Sequence, residues 1–99
     1  MRLTEQQKNS IIKNCQRYFG EANCWLFGSR TDDTKRGGDI DLYIETAETD
    51  MNKIVQAKLA FLIALDYELG EQKIDVLIRS QNSELLAIHR IAKKTGILL

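Results

Sequence analysis

The sequence predicts an α+β domain in which one sheet carries helices packed on a single face and leaves its other face free for chemistry. Three observations carry that expectation. The elements follow the order helix, strand, turn, strand, helix, strand, helix, with the helical segments amphipathic and the strand segments short. No proline-rich linker, repeat or low-complexity stretch divides the chain. At 99 residues, 43% of them apolar, there is material for one core, so residues 1–99 are expected to be a single domain.

Each element has a local reason. Thr4 with Gln7 three positions on forms a capping-box pattern, and Ile11, Ile12, Cys15, Tyr18 and Phe19 recur at helical spacing, which predicts a helix from about Thr4 to Phe19, ended by Gly20. Asn23–Phe27 is a short apolar run that closes on Gly28, as a buried strand entering a tight turn does. The polar stretch Ser29–Gly38 has room for a helical turn at its start and reads as loop at its end. Asp39–Glu45 alternates, with Ile40, Leu42 and Ile44 on one side and Asp39, Asp41 and Tyr43 on the other, the pattern of a half-covered strand.

Thr49 or Asp50 is positioned to cap a long helix whose apolar stripe comprises Met51, Ile54, Val55, Leu59, Leu62, Ile63 and Leu69, up to Gly70. That stripe is expected to face the core, with a partner-binding strip as the alternative. Lys73–Ile78 is the third strand. Ser80 or Asn82 is expected to open a last helix that carries Leu85, Leu86, Ile88 and Ala92, has a basic end at Arg90, Lys93 and Lys94, and stops at Gly96. Ile97–Leu99 is apolar and suits either an edge strand or a docked tail.

Charge and cysteine usage exclude several classes. Fourteen Lys plus Arg balance fourteen Asp plus Glu, and the two halves balance equally, which argues against a wholesale electrostatic grip on nucleic acid or anionic membrane. Without a long apolar run or a basic-then-apolar leader, the chain is expected to be soluble and cytoplasmic. Cys15 and Cys24 form no CxxC pair and fit small apolar fillers better than a disulfide scaffold or zinc site. His89 has no second His or Cys near it in sequence and reads as a surface or boundary residue, while Trp25 and Phe27 read as core.

Three acids stand out. Asp39 and Asp41 lie two apart on one strand and project from the same face, roughly 6 to 7 Å apart. Asp75 interrupts an apolar strand between Ile74 and Val76; were that strand adjacent, a spacing of roughly 4.8 Å would bring its carboxylate to the first two. Like charges at that range repel and favour proton uptake unless a cation neutralises them, and magnesium is the hard, oxygen-seeking ion that suits carboxylates shared with substrate phosphates. The Gly28-Ser29 turn complements them, since glycine lets a phosphate approach the backbone and serine offers a hydroxyl donor. Arg30, Lys35 and Arg36 follow in the loop as candidate phosphate contacts, and Arg30 is the best placed. Taken singly, DxD is usually a solvated sheet face and Gly-Ser usually a plain turn; their combination carries the weight. Walker A, EF-hand and GxGxxG strings are absent.

Leu26–Arg30 (LFGSR), then Asp39–Leu42 (DIDL) and later Ile74–Val76 (IDV) resemble the DNA polymerase beta type nucleotidyltransferase superfamily, and within it the minimal nucleotidyltransferase domains. The resemblance covers most of the chain. Gly38 stands where many relatives place serine before the first acid, which removes no metal ligand. The resemblance implies a nucleotidyltransferase fold with a mixed sheet, Asp39, Asp41 and Asp75 as catalytic ligands of two magnesium ions, and Gly28 and Ser29 holding the nucleotide phosphates. It further implies transfer of a nucleoside monophosphate, AMP from ATP being the expected case, to an acceptor hydroxyl with release of pyrophosphate. Minimal members are commonly paired with a HEPN-domain protein, in several cases a toxic ribonuclease neutralised by adenylylation, so the expected role is antitoxin, in a homo- or hetero-oligomer. Two other functions compete: a non-catalytic module that neutralises its partner by occlusion, and a transferase acting on a small molecule such as an antibiotic. Tyr43, on the acidic face, fits either a nucleotide pocket or cross-strand packing.

Overall fold

The computed structural model describes residues 3–31 and 39–99, and the expected loop contacts Lys35 and Arg36 lie outside them. Helix α1 spans Glu5–Phe19. The Thr4 hydroxyl accepts from the Gln7 N–H at 3.0 Å while the Gln7 side chain accepts from the Thr4 N–H at 2.9 Å, so the capping box forms as its sequence requires. Strand β1 (Ala22–Phe27) runs into a 3₁₀ turn at Gly28–Thr31, closed by the Thr31 hydroxyl donating to the Gly28 carbonyl at 2.8 Å. Then come β2 (Ile40–Thr46), α2 (Met51–Leu69), β3 (Ile74–Ser80), α3 (Ala87–Thr95) and the short β4 (Ile97–Leu98). Asp50 caps α2 by accepting from the Asn52 N–H at 2.9 Å.

The sheet order is β3-β2-β1-β4, with β2 parallel to β3 and β1 antiparallel to both β2 and β4. It is therefore a mixed sheet, and the class expected from the sequence holds. The apolar tail resolves as an edge strand. Helix α2 is the crossover that a parallel pair requires. Alternation sends Cys24 and Leu26 of β1 and Ile40, Leu42 and Ile44 of β2 to one face, where Ile11, Cys15 and Phe19 of α1 and Phe61 and Leu65 of α2 close the core. Phe19 and Phe61 meet edge to face with ring centres 5.6 Å apart. The Cys24 thiol is pushed well above its usual range by its hydrogen bond with Cys15 and by burial, while the same hydrogen bond lowers the Cys15 thiol, and both free cysteines are buried in the core. Among the described residues no helix is long and apolar enough to cross a membrane.

Three details differ from expectation. Helix α3 packs on the opposite face from α1 and α2, with Ala92 against Trp25 and Tyr43, so the helices do not share a single face. It also begins at Ala87 rather than after Ser80 or Asn82, because β3 continues to Ser80 and a turn follows, in which the Ser83 hydroxyl and N–H both donate to the Ser80 carbonyl. Leu85 and Leu86 therefore precede the helix. Third, α2 presents Ile54, Phe61 and Leu65 to the core, whereas Met51, Val55, Leu59 and Ile63 of the expected stripe face outward. The core needed only the narrow side of the helix that meets α1 and the sheet.

A polar clasp ties α1 to α2. Glu68 accepts from the Ser10 hydroxyl at 2.7 Å and the Asn14 amide at 3.1 Å and pairs with Lys13 at 2.9 Å. Those contacts, Lys13 first, hold its carboxyl down at about 2, below its ordinary 4.5. A depressed carboxyl stabilises the fold fully above its unfolded value, and that contribution is lost as pH falls through the folded one. Glu68→Gln is thus expected to flatten the loss of thermal stability between pH 4.5 and 2, read by circular dichroism melts.

Candidate active site

Strand β2 is central and its odd residues point away from the main core. In the parallel pairing Asp41 stands directly beside Asp75, and in the antiparallel pairing it stands beside Phe27. Neighbouring strands lie roughly 4.8 Å apart, so register alone brings the two carboxylates together. Asp39 immediately precedes β2, where the Ile40 N–H donates to the Lys73 carbonyl at 3.0 Å and opens the parallel ladder. The same juxtaposition places the Lys73 ammonium 3.4 Å from Asp39 Oδ2. Because β3 is an edge strand, Asp75 is exposed, beside a shallow cleft of about 290 Å³ lined by Phe27, Lys58 and Leu62.

Gly28 closes the site from β1. Its φ of +76° lies in the left-handed region that glycine enters freely. A Cβ at this position would stand 2.3 Å from Asp41 Oδ2 and 3.2 Å from its Cγ, so the Asp41 carboxyl rests directly on the glycine. Only the absence of a side chain lets the turn and the carboxylate occupy neighbouring space. Ser29 and Arg30 follow in the same turn, and Arg30 is half-buried there.

The electrostatics suit a cation. Burial, then the charges of Asp75 and Asp39, raise the Asp41 carboxyl above its ordinary range, and Lys73 offsets this only in part. All donors are hard carboxylate oxygens, the set magnesium prefers. Among the described residues, however, no three such groups are gathered into a ready coordination sphere. Asp39, engaged with Lys73, would exchange that ammonium for a metal. The donor set fits the ion, and the ion pair is what ion binding must displace.

Beside the acids the sheet face is covered. Tyr43 is fully buried between Trp25 and His89, with ring centres 5.4 and 5.3 Å away, so it packs across strands and lines no pocket. His89 is buried rather than at the surface; its Nδ1 accepts the Leu86 N–H at 3.0 Å and caps α3, whose N-cap leucine has no polar side chain. The Tyr43 hydroxyl donates to Glu45 Oε2 at 2.6 Å, and burial followed by that acceptor raises its pKa far above its usual value. Arg79 and Lys93 also hold Glu45, at 3.2 and 3.3 Å. Burial would raise the Glu45 carboxyl, yet the hydrogen bonds from Tyr43 and Lys93 and both cations leave it lowered. Glu45→Ala strands two cations and a buried phenol, and is expected to cost about 2 kcal/mol in denaturant unfolding.

Sequence reasoning missed Lys73 and the Glu45–Arg79–Lys93 network. Lys73 had a faint signal, a cation opening an acid-bearing strand; the network had none, because its members come from β2, β3 and α3. Comparison with curated proteins returns no match. The family model described as "Polymerase beta, Nucleotidyltransferase" matches residues 9–99, the span that holds the glycine turn, all three acids and every strand. With that match covering nearly the whole chain, the protein belongs to the polymerase beta nucleotidyltransferase family.

Proposed function

We propose that this protein is a magnesium-dependent nucleotidyltransferase that moves AMP from ATP to a hydroxyl on a HEPN-domain partner, and acts as that partner's antitoxin. The observation that carries the reading is the registered Asp41–Asp75 pair with Asp39 just upstream and Gly28 against Asp41, in a chain of nucleotidyltransferase family. Asp39 and Asp41 would hold two magnesium ions between them with Asp75 on one, and such ions, when bound, lower the acceptor's pKa and shield the triphosphate. Gly28 gives the phosphates access to the backbone, Ser29 supplies a hydroxyl donor and Arg30 a guanidinium. Asp75, at the open sheet edge, orients the acceptor hydroxyl and takes its proton as the oxygen attacks the α-phosphorus. The bond to the bridging oxygen breaks and pyrophosphate leaves. An exposed acid beside a shallow cleft suits an acceptor carried on a macromolecular surface.

The test is incubation with α-labelled ATP, magnesium and the HEPN protein. Label on the partner, lost when Asp39 and Asp41 are both changed to alanine, supports the reading. Absence of transfer, or transfer undiminished in the double variant, overturns it. The Lys73–Asp39 ion pair favours a second reading, a non-catalytic module that neutralises by occlusion. That reading predicts full neutralisation by the same double variant.

A further inference from the structure

Strand β3 ends the sheet, with β2 on one side and, among the described residues, no strand on the other. The parallel ladder decides which of its backbone groups are left over. The Ile40 N–H donates to the Lys73 carbonyl at 3.0 Å and the Gln81 N–H to the Thr46 carbonyl at 2.9 Å. The odd-numbered residues of β3 therefore turn their backbone toward β2, and Ile74, Val76 and Ile78 turn theirs outward. Among the described residues nothing bonds to these outward groups. Edge strands are ordinarily blunted by brevity, a proline or a bulge, and β3 has none of these: its register with β2 runs unbroken from Ile74 to Ser80. A row of free amides and carbonyls is matched by one chemistry, that of another extended backbone.

We infer that the occupant is β3 of a second copy of this chain, paired antiparallel about a two-fold axis that passes through Leu77 perpendicular to the sheet. Outward groups must meet outward groups, so the axis passes through a residue and not between two. At Leu77 it pairs the whole strand: Val76 exchanges both its hydrogen bonds with Ile78 of the other copy, Leu77 faces itself, and Asp75 stands opposite Arg79 at both ends. Moving the axis to Val76 sets Lys73 opposite Arg79, and moving it to Ile78 sets Asp75 opposite Gln81, so the full-length register is also the one that joins opposite charges. Asp75 is exposed, and among the described residues no cation is paired with it. Arg79 is held at its tip by Glu45 at 3.2 Å and the Ser83 carbonyl at 3.0 Å, while its Nε has no acceptor among the described residues, so the guanidinium has donor capacity for one more carboxylate. On the transfer reading proposed above, the pairing engages Asp75 and closes the edge beside the acceptor cleft, which makes the dimer the resting form; the pairing itself does not rest on that reading.

Sedimentation equilibrium of the full chain without nucleotide or metal, from about 5 to about 500 μM, is expected to show a reversible dimer. Asp75→Lys sets a cation opposite Arg79 and should raise the dissociation constant at least about tenfold with unchanged circular dichroism. Over the same range the backbone amides of Val76 and Ile78, followed by nuclear magnetic resonance, should exchange with solvent more slowly as concentration rises. Under mild oxidation Leu77→Cys should form a disulfide-linked dimer by itself, since facing residues at such a position have Cα atoms about 4.5 Å apart and the native cysteines are buried. A chain monomeric over the whole range, a dimer indifferent to Asp75→Lys, or a dimer in which Val76 and Ile78 gain no protection overturns the inference. So does a monomer that uses this edge only to hold an extended segment of a different protein. None of these readings involves transfer, so a failed transfer assay bears on the proposed function and not on the pairing.

Discussion

Asp41→Asn is expected to reduce nucleotidyl transfer by at least about 10³-fold while leaving the protein as stable as before or slightly more so. Asparagine keeps the shape of the side chain beside Asp75 and against Gly28, so the strands retain their register. What it removes is one of three clustered charges. That charge is unfavourable in the folded protein without a bound cation, as the raised Asp41 carboxyl shows. Its loss therefore relieves repulsion near neutral pH, and the relief fades on acidification, when the aspartate becomes protonated in any case. A residue whose removal abolishes activity and does not weaken the fold is one kept for chemistry. Steady-state transfer rates and thermal melts on the same preparations read both halves. A large loss of stability would place Asp41 among the structural residues instead.

Gly28→Ala is expected to lower transfer about 10²-fold and to cost about 1 kcal/mol or more of stability. The methyl group would press on Asp41 Oδ2 from 2.3 Å, so either the carboxylate or the turn must move by about an ångström, and a displacement of that size at a reacting centre is worth about two decades in rate. The left-handed backbone adds about 1 kcal/mol for any residue with a Cβ. Gly70 separates the two effects: it has a similar φ of +77°, and a methyl group there would meet nothing within 4 Å. Gly70→Ala should thus show the backbone cost alone, with full activity. Equal activity in the two variants would remove Gly28 from the site.

The parts of the fold that could be read in the sequence are those fixed by near neighbours. Thr4 and Gln7 bond each other across one turn, Asp50 reaches its own helix, and alternation alone puts Asp41 on the face opposite Leu42. The acids were legible for the same reason: residues two apart on a strand share a face, and an aspartate between isoleucine and valine is conspicuous. What the sequence concealed depends on distant partners. The amphipathic pattern of α3 says that it buries one side, not which face of the sheet receives it, and His89 is buried only because Tyr43 lies beneath it. The stripe on α2 misled because that helix has more apolar residues than one core face can use. The engagement of Asp39 by Lys73 follows from the β2–β3 register, which no local pattern specifies.

Whether the acids on β2 and β3 form a metal-dependent nucleotide site is decided by titrating Mn²⁺, followed by electron paramagnetic resonance, in the presence of a non-hydrolysable ATP analogue. The wild-type chain should take up two ions per copy with the nucleotide, and Asp41→Asn should lose at least one of them together with most of the nucleotide affinity. Nucleotide binding that needs no metal, or metal uptake identical in the wild type and Asp41→Asn, would contradict such a site.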